Sequence, residues 1–411
     1  MLNPVQAGGL SEFSMLRPDT FALTALLGLV TALGPVSTDM YLPSMPDISR
    51  VLGATVAEVQ LTLSSYLAGY ALGQIAYGPF SDRYGRRPVL LFALALFCIA
   101  NLACALASSI EALIAARTLQ ALGGSGAIVV TRAIVRDLYA GARAGRELSL
   151  MGAIMAIAPI VAPLVGGVLQ TAFGWRANFI VTFGVGVIAT ILVWRSLPET
   201  LSRRAPEPLT FGGAVRVYAG LLQNRAYLAH LGIVAASFAG LFAWISGSPF
   251  VLQDIYGLSP FGFSLAFVVG SLGFMLGTLL ATQLVMRAGL DRTLGWGSLA
   301  LAAGGLALTA SLALGATSVA ALVLPIALYL FGLGLALPQA MAGALTPFPD
   351  RAGAASSLIG FVQQASAATL GAVVGHTLGQ TAWPMAAAVA AMGCLALLVW
   401  SASRRVRAPT G

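Results

Sequence analysis

Long apolar runs recur along the chain, and this recurrence constrains the fold more than any other feature of the sequence. Each run has roughly 20 residues, which is the length that a helix needs to cross a hydrocarbon core about 30 Å thick. Only 9% of the 411 residues are charged, whereas soluble proteins carry about 25%. The runs therefore predict a membrane protein built from helices, because outer-membrane strands alternate apolar and polar residues over about ten positions.

We predict an all-α integral membrane protein with twelve transmembrane helices in two pseudo-symmetric six-helix bundles. The predicted bundles are residues 1–200 and 226–411, joined by a central cytoplasmic linker over 201–225 that contains the longest polar segment. GPFSDRYGRRPVL after the second span is weakly repeated by MRAGLDRTLG after the eighth. The predicted spans are 20–45, 58–80, 88–108, 112–133, 147–170, 178–197, 226–251, 262–285, 294–314, 318–345, 355–378 and 382–402.

The basic residues predict the orientation of these spans. The chain has no lysine, and its 22 arginines lie in short clusters between apolar runs. If the N-terminus faces the cytoplasm, 19 arginines fall on cytoplasmic segments and two on outer loops, leaving Arg117 within a span. Positive residues favour the cytoplasmic side, so both termini are expected there. This distribution also argues against nucleic acid as the partner of a chain with net charge +8.

Two charged residues, Asp39 and Arg117, lie well inside predicted spans. A charge at such a position costs roughly 3 kcal/mol on insertion scales and is by default a functional hypothesis. An arginine stays protonated at any relevant pH, so Asp39 is the predicted proton carrier and Arg117 is predicted to set its electric field. The alternative for each residue is an ordinary position near the outer membrane interface.

The segment GPFSDRYGRRP, residues 78–88, resembles the loop between the second and third helices of the major facilitator superfamily. In that family the loop joins the two halves in one conformation of the transport cycle. The resemblance therefore implies a gating role, and the implied gating residues are Gly78, Asp82, Arg83, Gly85, Arg86 and Arg132.

Further segments resemble the bicyclomycin and chloramphenicol resistance branch of drug:proton antiporters; they include TDMYLPSMP, RTLQALGGSG, GWRANF, LPETL and SGSPFVLQDIYGLSP. APIVAPLVGGVL resembles the antiporter helix of that family, with Pro163, Gly166 and Gly167 at matching positions. The resemblance implies the twelve-helix fold, a bacterial inner membrane location and export of small antibiotics. It also implies that the proton gradient, without any cofactor, supplies the energy and that a monomer suffices.

Substrate contacts are predicted from polar and aromatic residues in the spans that would line a central cavity. Tyrosines recur on one face of span two, aromatic and serine residues crowd span seven, and glutamines lie in spans four, ten and eleven. Apolar pockets with few polar groups suit small neutral drugs. The candidates are Tyr41, Tyr66, Tyr70, Gln120, Phe242, Trp244, Ser246, Gln339 and Gln363.

Three other functions stay open at this stage. An exporter of an endogenous metabolite would share the same machinery, whereas a passive facilitator or channel would need no titratable acid in the membrane. A membrane enzyme is disfavoured because the sequence has no paired histidines, metal-spaced cysteines or nucleophile motif. The expected partners are small-molecule drugs, protons and the lipid bilayer, with no catalytic residues and no metal.

Overall fold

The computed structural model describes residues 20–139, 141–201, 211–348 and 351–407. Nine of the 25 residues of the predicted linker, 202–210, therefore lie outside the described residues. The fold is helical throughout the described ranges, and its α-helices in chain order are α1 Phe21–Asp39, α2 Met45–Leu52, α3 Val56–Tyr84, α4 Arg86–Leu106, α5 Ile110–Leu138, α6 Gly141–Phe173, α7 Arg176–Ser196, α8 Phe211–Leu222, α9 Arg225–Phe250, α10 Pro260–Ala288, α11 Leu290–Ala313, α12 Ala320–Leu345, α13 Ala352–Thr377, α14 Trp383–Ala402 and α15 Arg404–Arg407.

Every predicted span coincides with a long helix, which confirms the predicted fold class. Ten helical segments within the described residues are long and apolar enough to cross a membrane, and a shorter apolar stretch, Ile157–Phe173, lies in α6. The helix α3 supplies the second span, although it carries more polar residues than the others.

The first span is longer than predicted and is interrupted after Asp39. A short 3-10 turn, Leu42–Ser44, joins α1 to α2, and the combined segment runs from Phe21 to Leu52. Prolines at 43 and 46 explain the break, because proline lacks the amide hydrogen that a continuing helix would use. Asp39 consequently lies at an interruption in the middle of the span rather than at its end.

The weak internal repeat of the sequence has a structural counterpart. Gly85 separates α3 from α4 and Gly289 separates α10 from α11, with φ angles of 105° and 82° respectively. Such positive φ values favour glycine. The two six-helix halves therefore use the same sharp turn at corresponding positions.

Within the part of the chain that the structure describes, four side-chain hydrogen bonds join the two halves. Gln60 Nε2 donates to the Ser246 carbonyl at 2.9 Å, and Gln253 Nε2 donates to the Pro43 carbonyl at 3.2 Å. In addition, Ser264 and Ser271 of α10 donate to the Pro163 and Pro159 carbonyls of α6 at 2.6 and 3.1 Å. The first two lie close to the end of the bundle opposite the Gly85 turn, which is the predicted outer end, and the other two follow α6 and α10 inward from it.

Candidate functional site

Asp39 is a buried carboxylate with no protein partner. Its side chain belongs to the last residue of α1 and is only 7% exposed. Among the described residues, no donor makes a hydrogen bond to it and no cation lies within 4 Å. The segment continues for a further 13 residues beyond Asp39, through the 3-10 turn and α2 to Leu52. A buried carboxylate within a membrane span is by default a functional hypothesis, and Asp39 stays the predicted proton carrier.

Arg117 is fully buried in α5 and stacks between aromatic rings. Its guanidinium carbon lies 4.6 Å from the Tyr41 ring centre, 4.3 Å from that of Tyr66 and 5.9 Å from that of Phe179. A cation over an aromatic face is attracted to it, by about 2 kcal/mol when desolvated. A fully buried side chain does not reach the lipid headgroups, so Arg117 is not an ordinary residue near the outer membrane interface.

A polar network connects Arg117 to α1 and α4. Arg117 Nη1 donates to the Ser37 carbonyl at 3.1 Å and to Gln120 Oε1 at 2.6 Å, and Gln120 Nε2 donates to Asn101 Oδ1 at 2.6 Å. Arg117 Nε and Nη2 have no partner among the described residues. The network therefore holds a positive charge, with spare donors, two residues from the proton-carrier candidate.

The predicted electrostatic relation between Asp39 and Arg117 is indirect in this conformation. No ion pair joins the two side chains in the described part of the chain, although Arg117 contacts the backbone of Ser37. A buried charge without a counter-charge is costly to the fold. We therefore expect Arg117 to be kept for transport rather than for stability.

Replacing Arg117 with methionine tests this expectation. Arg117→Met should leave the thermal midpoint of the purified protein unchanged or raise it, because a buried unpaired charge is removed, while transport falls at least about tenfold, the effect of about 1.4 kcal/mol. The measurements are thermal unfolding in detergent and transport in proteoliposomes. Arg176→Met is the control, since exposed Arg176 also stacks on a ring, that of Trp175, and donates to a carbonyl. Wild-type transport by Arg117→Met would contradict the assigned role.

The gating motif forms one compact charged cluster at the Gly85 turn. Arg86 is buried and donates to Asp82 Oδ1 at 2.5 Å, to Asp137 Oδ2 at 2.8 Å and to the Ser81 hydroxyl at 2.7 Å. Gly85 has φ 105°, and a Cβ there would come within 2.5 Å of a carboxylate oxygen of Glu199. The requirement for glycine at this turn is therefore both conformational and steric.

Among the described residues, the hydrogen-bond partners of this cluster all belong to the first half of the chain. Glu199 Oε1 and Oε2 accept hydrogen bonds from the backbone amides of Arg86 and Arg87 at 2.9 and 3.2 Å. A carboxylate at the start of α4 also interacts favourably with the helix dipole. Among the described residues, no hydrogen bond or ion pair links this cluster to the second half in this conformation, and the cluster connects α3, α4, α5 and the segment after α7. Its gating role stays a prediction.

The other gating candidates lie around this cluster. Arg83 is exposed and stacks on the Tyr84 ring at 5.5 Å, Arg132 is exposed on α5, and a Cβ on Gly78 would meet open space. Nothing in the structure tests their gating role, which stays a prediction.

The antiporter helix packs tightly through its glycines. A Cβ on Gly166 would lie 2.1 Å from the Met40 carbonyl oxygen, and one on Gly167 would lie 2.4 Å from the Ser264 hydroxyl. The Pro163 carbonyl, which accepts the Ser264 hydrogen bond, belongs to the same contact between the halves. α6 therefore touches both the backbone next to Asp39 and the opposite half.

The predicted substrate residues fall into two groups. Tyr41, Tyr66 and Gln120 surround Arg117, and the Tyr70 ring stacks on that of Tyr66 at a centroid distance of 6.0 Å. Trp244 and Ser246 of α9 lie in a second buried group.

In this second group, the Trp244 indole nitrogen and the hydroxyls of Ser246 and Ser64 have no partner among the described residues. Gly371 leaves room beside both hydroxyls, since a Cβ there would lie 2.8 Å from that of Ser246 and 3.4 Å from that of Ser64. Tyr41 and Tyr66 beside Arg117 nevertheless belong, with Trp244, to one continuous cluster of buried hydrophobic residues.

The remaining candidates are not brought into either group. Phe242 packs on Phe238 with ring centres 5.1 Å apart, Gln339 is buried in α12, and Gln363 is half-buried in α13. Their role in substrate binding stays a prediction.

Four residues of these clusters are not among the site residues predicted from the sequence. Asn101, Phe179, Asp137 and Glu199 contribute through contacts between helices that are distant in sequence. Two of them had a sequence signal, because Phe179 belongs to the GWRANF segment and Glu199 to the LPETL segment, both of which resemble the family.

Comparisons with known proteins agree with this architecture. The family model described as Major Facilitator Superfamily matches residues 27–372. An uncharacterised MFS-type transporter of Bacillus subtilis, YdgK, is 36% identical over 90% of this chain and 92% of its own length. A bicyclomycin resistance protein homolog of Haemophilus influenzae is 31% identical over 93% and 96%, and a chloramphenicol resistance protein of Pseudomonas aeruginosa is 32% identical over 89% and 86%.

A solved structure of a D-xylose-proton symporter superposes with a TM-score of 0.74 at 18% identity, covering 93% of this chain and 96% of the symporter. That similarity supports the fold alone. From the family match and these full-length relatives, the chain belongs to the Major Facilitator Superfamily of transporters, in the branch that contains the bicyclomycin and chloramphenicol resistance proteins.

Proposed function

We propose that the protein exports small amphipathic antibiotics, similar to amphenicols and bicyclomycin, in exchange for protons by alternating access. Resistance to bicyclomycin and chloramphenicol is named for relatives that are similar over most of this chain. The observation that carries proton coupling is the unpaired carboxylate of Asp39 within the first membrane span.

Asp39 can exchange protons because no cation or hydrogen-bond donor among the described residues holds it permanently as a carboxylate. Burial in an apolar surrounding favours the protonated acid, whereas an approaching positive charge favours the carboxylate. Arg117 of α5 donates to the carbonyl of Ser37, which lies two residues before Asp39 in α1, and two of its donor nitrogens have no partner among the described residues. A movement of α1 against α5, or a bound drug between them, would change this balance and release the proton.

The arrangement of the halves supports alternating access. The hydrogen bonds between them include two at the predicted outer end, made by Gln60 and Gln253. At the predicted cytoplasmic end, the Asp82 and Arg86 cluster bonds only within the first half. We infer a conformation closed toward the outside, in a transporter of the bacterial inner membrane with both termini in the cytoplasm. A monomer contains all the groups that this cycle uses.

The charge of the buried clusters favours neutral or weakly charged substrates. Around Arg117 the walls are aromatic and the remaining polar groups are amides, and the Trp244 group adds an indole and serine hydroxyls. Spare donors suit hydroxyl and carbonyl oxygens of an uncharged drug.

Gradient-driven accumulation in proteoliposomes tests the proposal. Purified protein would be reconstituted, a proton gradient imposed, and uptake measured for chloramphenicol, florfenicol, bicyclomycin, a quinolone and a cationic dye. We expect the first three to accumulate above equilibrium and to do so only with the gradient. Equilibration without accumulation would instead indicate a passive facilitator, and transport of none of the five would indicate a metabolite exporter.

A further inference from the structure

A second buried acid, Glu147, lies near the predicted cytoplasmic end of the first bundle. It belongs to α6, six residues after the helix begins at Gly141, and is only 6% exposed. In the sequence it stands at the edge of an apolar run, so its burial has no sequence signal. A buried carboxylate on a membrane helix is costly and points to a function.

The partner of Glu147 is a neutral hydroxyl instead of a cation. Thr24 of α1 donates to Glu147 Oε2 at 2.6 Å. The nearest cationic nitrogen among the described residues belongs to Arg146 and lies 3.9 Å from Oε1, on a side chain that is 72% exposed. An exposed pair at this distance contributes little, so no permanent counter-charge fixes Glu147 as a carboxylate.

A threonine hydroxyl suits both protonation states of the acid. It donates to a carboxylate and can accept from a carboxylic acid. The charged groups at this end of the surrounding helices are Arg143 and Arg146 on α6 itself, Arg132, Arg136 and Asp137 on α5, Arg195 on α7 and Arg287 on α10, whereas α1 has no charge from Phe21 to Thr38. Of these groups, the Arg146 guanidinium lies within 4 Å of the Glu147 carboxylate.

Glu147 and Asp39 lie along the same pair of helices. α1 and α6 run parallel, with Glu147 beside Thr24, Ile154 beside Gly28 and Gly166 beside Met40. Thr24 and Asp39 are 15 residues apart on α1, or about 22 Å along the axis. The seam between α1 and α6 therefore has one acid near the cytoplasm and one deep in the span.

We propose that Glu147 is a second proton-binding group, which takes up a proton during the transport cycle and releases it to cytoplasmic water. This inference rests on the proposed antiport. The proton adds to a carboxylate oxygen of Glu147 and leaves from the same group, so the step requires no other reactant. Protonation removes the charge that Thr24 satisfies, and it thereby alters the contact between α1 and the helix that touches the other half.

Infrared difference spectroscopy of the reconstituted protein tests the proposal without a drug. The carboxylic acid C=O band would be followed as the pH of the sample is changed. We expect Glu147→Gln to remove one component of the titrating band, because glutamine keeps the acceptor for Thr24 and loses the proton. Thr24→Val should keep that component and move its frequency, because the hydrogen bond is lost.

The outcomes separate this inference from the proposed function. An unchanged band in folded Glu147→Gln would overturn the inference, whatever Asp39 does. An unchanged band in Asp39→Asn would contradict the proton role of Asp39 and leave the Glu147 result standing. In transport, the rate of Glu147→Gln should depend less on the cytoplasmic-side pH than that of wild type, and an identical pH profile would again overturn the inference.

Discussion

An Asp39→Asn variant should fold and still exchange drug across the membrane, but it should no longer accumulate drug against a gradient. Asparagine keeps the shape of the side chain and removes the proton. A proton moving through 100 mV supplies about 2.3 kcal/mol, which corresponds to an accumulation ratio of about 50-fold. We therefore expect gradient-driven accumulation to fall by about that factor, to the equilibrium level, while drug counterflow without a gradient continues.

Asp47→Asn is the matched control for this result. Asp47 lies eight residues further along the same segment, where it accepts a hydrogen bond from Gln170 at 2.9 Å and pairs with exposed Arg50 at 3.6 Å. Asparagine can still accept from Gln170, so the control should accumulate drug as wild type does. Loss of counterflow together with accumulation in Asp39→Asn would mean that Asp39 serves substrate binding or folding.

A Gly166→Ala variant should lose stability and transport together. The added Cβ would lie 2.1 Å from the Met40 carbonyl oxygen and 2.9 Å from its carbonyl carbon, so the backbone of one helix must move. Overpacking costs about 1–3 kcal/mol, and the displacement falls next to Asp39. We expect a lower thermal midpoint for the purified protein and a loss of accumulation in proteoliposomes.

Gly184→Ala provides the comparison, because a Cβ at Gly184 in α7 meets nothing within 4 Å. Alanine favours a helix over glycine by about 1 kcal/mol, so this variant should be at least as stable as wild type. If Gly166→Ala matched it in stability and accumulation, α1 and α6 would not need their close contact.

The twelve helices were predictable because length and apolarity are local properties of the sequence. Helix ends were less so. The apolar run of the first span stops before Asp47 and Arg50, yet α2 continues through them to Leu52 because polar residues are tolerated beyond the hydrocarbon core. The predicted fifth span begins at residue 147, whereas α6 begins at Gly141 for the same reason.

The site was predictable where a charge interrupts an apolar run, as it does at Asp39 and Arg117. The groups around them were harder to predict, because Asn101 and Phe179 are ordinary residues until helix packing brings them to Arg117. The burial of Glu147 could not be predicted from the sequence either, because the residue follows Arg146 and so resembles an exposed end of a span. The Trp244 group could not be predicted either, because its side chains come from three helices that belong to both halves.

Drug-triggered proton movement tests the central claim most directly. Wild type and Asp39→Asn would be reconstituted at equal amounts with a pH-sensitive dye inside the vesicles, and chloramphenicol or bicyclomycin would be added. Coupled antiport through Asp39 predicts a dye response in wild type and none in the variant. Drug flux without a dye response in wild type, or an equal response in both proteins, would contradict it.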